Sequence, residues 1–466
     1  MVGLGGCAAV ETPVLPSDVP ADWRQPPKPS AGAIEPDLRS WWVALGEPQL
    51  DALVDRAMAQ NLTLAQARSR LRQVRFLARR DDAKYRPMFS ASFHPLQDVS
   101  ATDSYFQSSL DAVWELGLFG GREAAERGIR GRVAAAVATT QAARVSTVAE
   151  VVRTYADLRA AQIQKVHLQR LVDLNARTLQ LLGIRRGQGL SSADDEFRVE
   201  MRLAQVRSQL SQSSQVVEQS ASGLALLLGQ ATPDDEWTQA IDWPPQSQLG
   251  ARNFALQQVP TDLLRYRPEI RNAEADVLKA AAELGSAKAE LYPRVMIGSS
   301  WLYSHNLTQH SRRTSDSTPT IGPFIDIPLF DWGRRRAAVS AQKEALDASV
   351  LAYRQAVIEG VAEAESALNR LQRALERCQN MQAVLDATQR RTKVMVTLKR
   401  LDLASELDRL DAERAATQAS MELAAARVDH TLAFVALYKS LGGAPWPVEE
   451  ALEPLSSSAP SKGGAR

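Results

Sequence analysis

Cysteine is scarce in this sequence of 466 residues, which holds Cys7 and Cys378 alone. Two thiols so far apart exclude a zinc ribbon, a CxxC redox motif and a disulfide framework. The five histidines, His94, His167, His305, His310 and His430, form neither HExxH nor HxxxH, so no compact metal site and no cofactor are expected. A surplus of charge is missing too: 55 Lys and Arg against 54 Asp and Glu leave a net charge of +1. A nucleic-acid partner normally demands a strong basic excess, so none is expected. No apolar run approaches the roughly 18 residues of a membrane-spanning helix. A chain that crosses a bilayer without such a run must do so as a β-barrel. What is present is a 45% hydrophobic composition, which belongs to a folded chain.

Length alone suggests about three globular domains, but the pattern does not. Residues Pro13 to Pro36 hold seven prolines, which makes residues 8–48 an extended linker ahead of the first helical pattern near Pro48. Very long helices follow, at about Glu123 to Ile184 and about Arg334 to Thr397. At about 1.5 Å per residue each is a rod of about 90 Å. The second carries a seam of Val357, Val361, Ala364, Leu368, Leu371, Leu375, Cys378 and Leu385, broken at Gln382. That spacing, near 3.5 residues, calls for coiled packing against a neighbour. Cys378 on this seam reads as a small buried apolar residue. Shorter helices are expected over 49–84, 192–228, 262–291 and 405–441, with glycines closing several of them.

Four segments have period two and one apolar face: about 87–96, 105–116, 293–304 and 318–329. Polar connections separate the members of each pair, Gln97 to Ser104 and His305 to Ser317. The two halves also correspond. Asn61 to Ala67 aligns with Arg267 to Ala273, Tyr85-Arg86-Pro87 with Leu291-Tyr292-Pro293, and Leu118 to Arg122 with Leu329 to Arg334. Ser192, Glu200 and Gly229 align with Ser405, Glu413 and Gly442. The order helix, strand, strand, long helix, helix therefore occurs twice, in repeats at 49–229 and 262–442. Segment 230–261 links them and 443–466 forms a tail. Four strands of about ten residues are too few for a membrane barrel, which needs about eight. Three copies would supply twelve strands, although two copies could close eight.

The passages Trp114-Glu115-Leu116-Gly117-Leu118-Phe119-Gly120-Gly121-Arg122 and Pro328-Leu329-Phe330-Asp331-Trp332-Gly333-Arg334-Arg335 resemble the paired signatures of TolC-like outer-membrane efflux proteins. Leu4-Gly5-Gly6-Cys7 resembles a lipobox, which points to the NodT/OprM lipoprotein branch. The resemblance implies a mainly α fold with four strands per chain. Three copies would form a 12-stranded transmembrane β-barrel and a long periplasmic α-barrel, with an equatorial belt drawn from about Ala231 to Val259 and the C-terminal tail. It implies a passive, non-enzymatic channel in the outer membrane, anchored by lipid at Cys7. Its partners would be a periplasmic adaptor and an inner-membrane pump of the resistance-nodulation-division type. Residues 1–7 would be a lipobox remnant. Six residues before Cys7 are too few for a signal peptide, so either the natural start lies upstream or this form is not exported.

The resemblance also assigns candidate residues. Leu407, Asp408, Asp411 and Arg414 match the family's periplasmic aperture, where threefold symmetry turns one carboxylate into a ring. Ser405 to Asp408 equally fits a helix-capping box, as does Ser192 to Asp195; for Asp408 both readings stand. The turns Gly189-Leu190-Ser191-Ser192 and Leu403-Ala404-Ser405 correspond to adaptor-docking turns. Lys399 and Asp402 depart from the family, which usually has Tyr and Gly there, so a gate contact through that Tyr is not expected. The alternative to a channel is a soluble coiled-coil scaffold, which has no use for four strands bearing aromatic residues on one face. An enzyme is the weakest reading, because no nucleophile-base pair or carboxylate dyad is evident. His305 and His310 read as solvated loop residues.

Overall fold

The computed structural model describes residues 13–15, 19, 24, 37–97, 104–239, 266–307 and 315–443. Cys7, His310, most of the expected equatorial segment and all but the first residue of the C-terminal tail lie outside the described residues. A short 3-10 turn at Trp41–Leu45 leads into α1 (Pro48–Gln60), α2 (Leu62–Asp82), β1 (Met88–Gln97), β2 (Ser104–Glu115), α3 (Gly121–Gly187) and α4 (Ala193–Leu227). The second half holds α5 (Pro268–Ala289), β3 (Arg294–Asn306), β4 (Ser315–Asp326), α6 (Arg334–Arg400) and α7 (Glu406–Ser440).

The helix expected over 49–84 is two helices. Asn61 adopts an extended conformation and its side chain accepts the Leu64 N–H at 2.9 Å, capping α2. Its Nδ2 donates to the Leu227 carbonyl at 2.8 Å, which ties the break to the end of α4. An asparagine so placed satisfies a helix-end donor that continuation would leave bonded elsewhere. The two long helices span 67 residues each, about 100 Å at the usual rise. On the expected seam of α6, Val357, Ala364, Leu368, Leu371 and Leu385 are buried. Cys378 is half-buried and its Sγ donates to the Ala426 carbonyl of α7 at 3.1 Å.

The strands form one antiparallel sheet in the order β1-β2-β3-β4. Its register places Phe89, Leu110, Trp114, Ile297, Trp301, Ile321 and Ile325 on one face. Ile321 is 81% exposed and Phe89 is 73% exposed, so none of the described residues covers that face. The opposite face is mixed: the Ser92 and Ser109 hydroxyls lie 2.6 Å apart and Ser109 donates to Asp111 at 2.6 Å, while Met88, Val113, Met296 and Phe324 gather at its end nearest the helices. Two expectations shift here. β4 starts at Ser315 and ends at Asp326, so Ile327 to Leu329 lie beyond it; Pro328 has no N–H to continue a ladder. His305 belongs to β3, not to a loop, and pairs with Phe106 and Ser315, because the ladder runs further into the polar connection than alternation indicated.

The largest core lies around the middle of the long helices, where Trp41, Trp42, Leu50 and Val54 meet α3, α4, α6 and α7. Trp41 stacks on Tyr438 with ring centroids 5.6 Å apart. Gly229 and Gly442 end α4 and α7 with φ of 72° and 74°. A Cβ there would lie 2.9 Å from the Gln60 carbonyl oxygen and 2.6 Å from that of Tyr266, respectively, so both positions require glycine for space as well as conformation. Arg267 takes the place Asn61 holds in the first half. It is buried, donates to the Ser440 carbonyl at 2.7 Å and to that of Gly360 at 3.1 Å, and pairs with Glu363.

His430 is buried on α7, and burial lowers its pKa to about 4. The unfolded chain protonates it near 6.5, so its contribution to stability is complete above that pH and is lost as pH falls toward 4. The apparent unfolding temperature in detergent should drop over this window, and His430→Leu should drop less. An equal drop in the variant would remove His430 as a cause.

Candidate functional site

The ends of the helix pairs farthest from the sheet carry most of the candidate residues. Both turns use the same closure. Leu190 N–H donates to the Arg185 carbonyl at 2.8 Å and Gly189 N–H to that of Arg186 at 2.9 Å; Leu403 and Asp402 repeat these bonds to Leu398 and Lys399 at 2.9 and 3.1 Å. Such paired bonds satisfy the last helix carbonyls and need a left-handed residue. Gly189 supplies it with φ 73°, and Asp402 supplies it with φ 58°. Asp402 thus performs the backbone task of a glycine, at the modest cost that short polar residues incur in this region. Leu190 and Leu403 project into solvent. Ala404 is half-buried, and Ser191 donates to the Leu182 carbonyl at 3.0 Å.

Both helices that follow start with a complete capping box. Ser405 Oγ accepts the Asp408 N–H at 3.2 Å, while Asp408 Oδ2 accepts the Ser405 N–H at 2.9 Å and its hydroxyl at 2.6 Å. Ser192 and Asp195 make the same set. These bonds hold the Asp195 and Asp408 carboxyls below the ordinary value of 3.8. Such a cap satisfies helix-end donors that would otherwise lack a partner. Asp408 is therefore occupied by a local structural role.

Leu407 and Asp411 share one face of α7, being four residues apart. Leu407 is half-buried. Asp411 meets Arg414 at 2.6 Å on its own helix and Arg391 of α6 at 3.4 Å. The Arg414 hydrogen bond, then the charges of Arg414 and Arg391, lower its pKa against partial burial. Beside it Arg409 is gripped by Glu406 at 2.5 Å and by Glu413, and Glu413 meets Arg170 of α3 at 3.3 Å. Glu406, Asp411 and Glu413 are thus joined to arginines of three helices. Glu406, Arg409 and Glu413 were not singled out as site residues from the sequence, although their i, i+3, i+7 spacing was the signal that could have found them. Arg391 and Arg170 gave no such signal, because they arrive from distant parts of the chain. Among the described residues no helix is long and apolar enough to cross a membrane.

A four-stranded sheet with an outward apolar face, mounted on helices of about 100 Å, defines a channel-tunnel protomer. The outer membrane efflux protein family matches residues 53–230 and 259–443, and the chain belongs to that family. It is 27% identical to the pyoverdine export outer membrane protein OpmQ of Pseudomonas aeruginosa, over 94% of each chain. It is 26% identical to nodulation protein T of Rhizobium leguminosarum bv. viciae, over 90% of this chain and 86% of the relative. The toluene efflux pump outer membrane protein TtgI of Pseudomonas putida is 27% identical over 96% of this chain and 97% of its own. Among solved structures, the outer-membrane channel OprN superposes with a TM-score of 0.75 at 28% identity, covering 93% of this chain and 99% of that one. The open state of the Neisseria gonorrhoeae MtrE channel superposes with a TM-score of 0.78 at 21% identity, covering 92% and 98%, and shares the fold. The protein is an outer-membrane efflux channel with a TolC-like fold, not an enzyme.

Proposed function

We propose that three copies of this chain form the passive outer-membrane duct of a tripartite efflux assembly. The observation that carries this reading is the four-stranded sheet, apolar on one face and bearing Ser92, Ser109 and Asp111 on the other, whose outer strands β1 and β4 sit at the edges. Twelve such strands close a barrel with the serine-bearing face inward. The two repeats, 49–229 and 262–442, then alternate six times around the axis. A soluble scaffold is disfavoured by the exposed Phe89, Trp301, Ile321 and Ile325.

A periplasmic adaptor would dock on the turns Gly189 to Ser192 and Leu403 to Ser405, where Leu190 and Leu403 offer apolar contacts on rigid caps. An inner-membrane pump of the resistance-nodulation-division type would supply the energy. The names of the relatives, with pyoverdine export and toluene efflux among them, favour small organic cargo. Cys7 would carry the lipid anchor. Mass spectrometry of the N-terminal peptide, from protein exported behind a working signal peptide, should find Cys7 acylated; a free thiol there would refute the anchor.

The resting aperture would be formed by Leu407 and Asp411 of the three copies, braced by Arg414 and Arg391. A leucine ring supplies an apolar constriction, and the carboxylate ring offsets part of the positive charge that Arg414 and Arg391 bring to the same level. Replacing Leu407 and Asp411 together by Ala should raise single-channel conductance in planar bilayers several-fold and lower cation selectivity. Alanine preserves the helix. Unchanged conductance and selectivity in an intact assembly would place the constriction elsewhere.

A further inference from the structure

The internal repetition fixes more than the number of strands. Phe119 and Trp332 occupy equivalent places, one residue before the N-caps of the long helices, and both have positive φ, 61° and 57°. A bulky aromatic residue rarely holds that conformation without surrounding contacts that impose it. For Phe119 the contact is visible: its ring stacks on Tyr292 with centroids 5.1 Å apart and planes at 10°. For Trp332 it is not. The indole is 90% exposed and touches only the edge of Phe330 among the aromatic neighbours described.

The Phe119 contact lies between the two repeats, where β2 pairs with β3 and α3 packs on α5. The counterparts of those contacts are β4 with β1 and α6 with α2, and a single chain places β4 and β1 at opposite edges of the sheet. They can be made only with a second copy. The counterpart of Tyr292 is Arg86, since Tyr292-Pro293 and Arg86-Pro87 each lead into the first strand of their repeat. Arg86 is 72% exposed and bonded to Asp82 at 2.5 Å. Lower on the helices, Ala282 of α5 sits against Gly128 of α3, 3.3 Å from where a Cβ would be. The counterparts are Phe76 of α2, 64% exposed, and the exposed Ala341 of α6.

We propose that neighbouring copies dock through one seam in which Trp332 lies over the Arg86 guanidinium of the next copy and Phe76 of that copy covers the Ala341 face. The indole is the strongest cation–π acceptor, and the pair replaces the aromatic stack found inside the chain. Phe76 spans the wider gap that Ala341, with its Cβ, leaves where glycine stands in the first repeat. This seam rests on the multi-copy ring proposed above and assigns its residues.

The test uses the full chain in detergent with Cys7→Ala and Cys378→Ala, carrying Arg86→Cys and Trp332→Cys, treated with a short bismaleimide. Covalent dimers and trimers on a denaturing gel are expected, and neither single cysteine should give them. Phe119→Cys with Tyr292→Cys should link within the chain, adding the mass of one crosslinker and leaving a single-chain band on the gel. An intact ring without crosslinks would overturn the seam and leave the ring standing; a monomeric preparation would overturn both. A second variant does not depend on crosslinking. Trp332→Gly relieves the positive φ, so a residue with no role beyond its own chain would leave the assembly as heat-stable or more so. The seam requires the variant assembly to dissociate at lower temperature, with little further drop on adding Arg86→Ala. An unchanged or raised dissociation temperature would overturn it.

Discussion

The open edges of β1 and β4 are the constraint on which the rest depends. In a bilayer an unpaired backbone N–H or C=O costs several kcal/mol, roughly, because no water replaces the lost bond. A sheet of four strands with its apolar face outward has two such edges. The chain cannot remove them by itself, so its other features are those of a segment meant to be continued. The opposite face carries serines and Asp111, as a water-filled interior permits. The rod of α6 leaves Leu351, Ile358 and Val394 exposed, as lateral contact with further helices would require.

The repetition reaches the level of single hydrogen bonds. Gly229 and Gly442 end the last helix of each half against the backbone of Gln60 and Tyr266. Asn61 and Arg267 then each donate to a carbonyl at the C-terminus of that helix, Leu227 and Ser440. The chemistry differs because the surroundings do. Asn61 is neutral and also caps α2. Arg267 is a buried charge, and Glu363 with two carbonyls supplies the partners such a charge needs. The same backbone geometry has been kept with different side chains, which is how two halves with few identical residues retain one fold.

Much of this was legible in the sequence, for definite reasons. The long helices were clear because no proline interrupts them, and the strands because Phe106, Leu110, Ala112 and Trp114 alternate with polar residues. The capping boxes at Ser192 and Ser405 were readable because all their parts lie within four residues. The break at Asn61 was not, since asparagine followed by helix formers leaves periodicity intact and only the tie to Leu227 decides it. The end of β4 was set by Pro328, which the apolar alternation of Ile325, Ile327 and Leu329 concealed. At the tip, Asp411 was singled out but its partner Arg391 was not, because that ion pair joins residues that meet only after α6 and α7 fold back on each other.

The account stands or falls on whether the open sheet is closed by further copies of the chain. The most direct measurement is the mass of the purified assembly in detergent, with the bound detergent subtracted. The account predicts three chains in a single species. A monodisperse single chain, soluble without detergent, would contradict it.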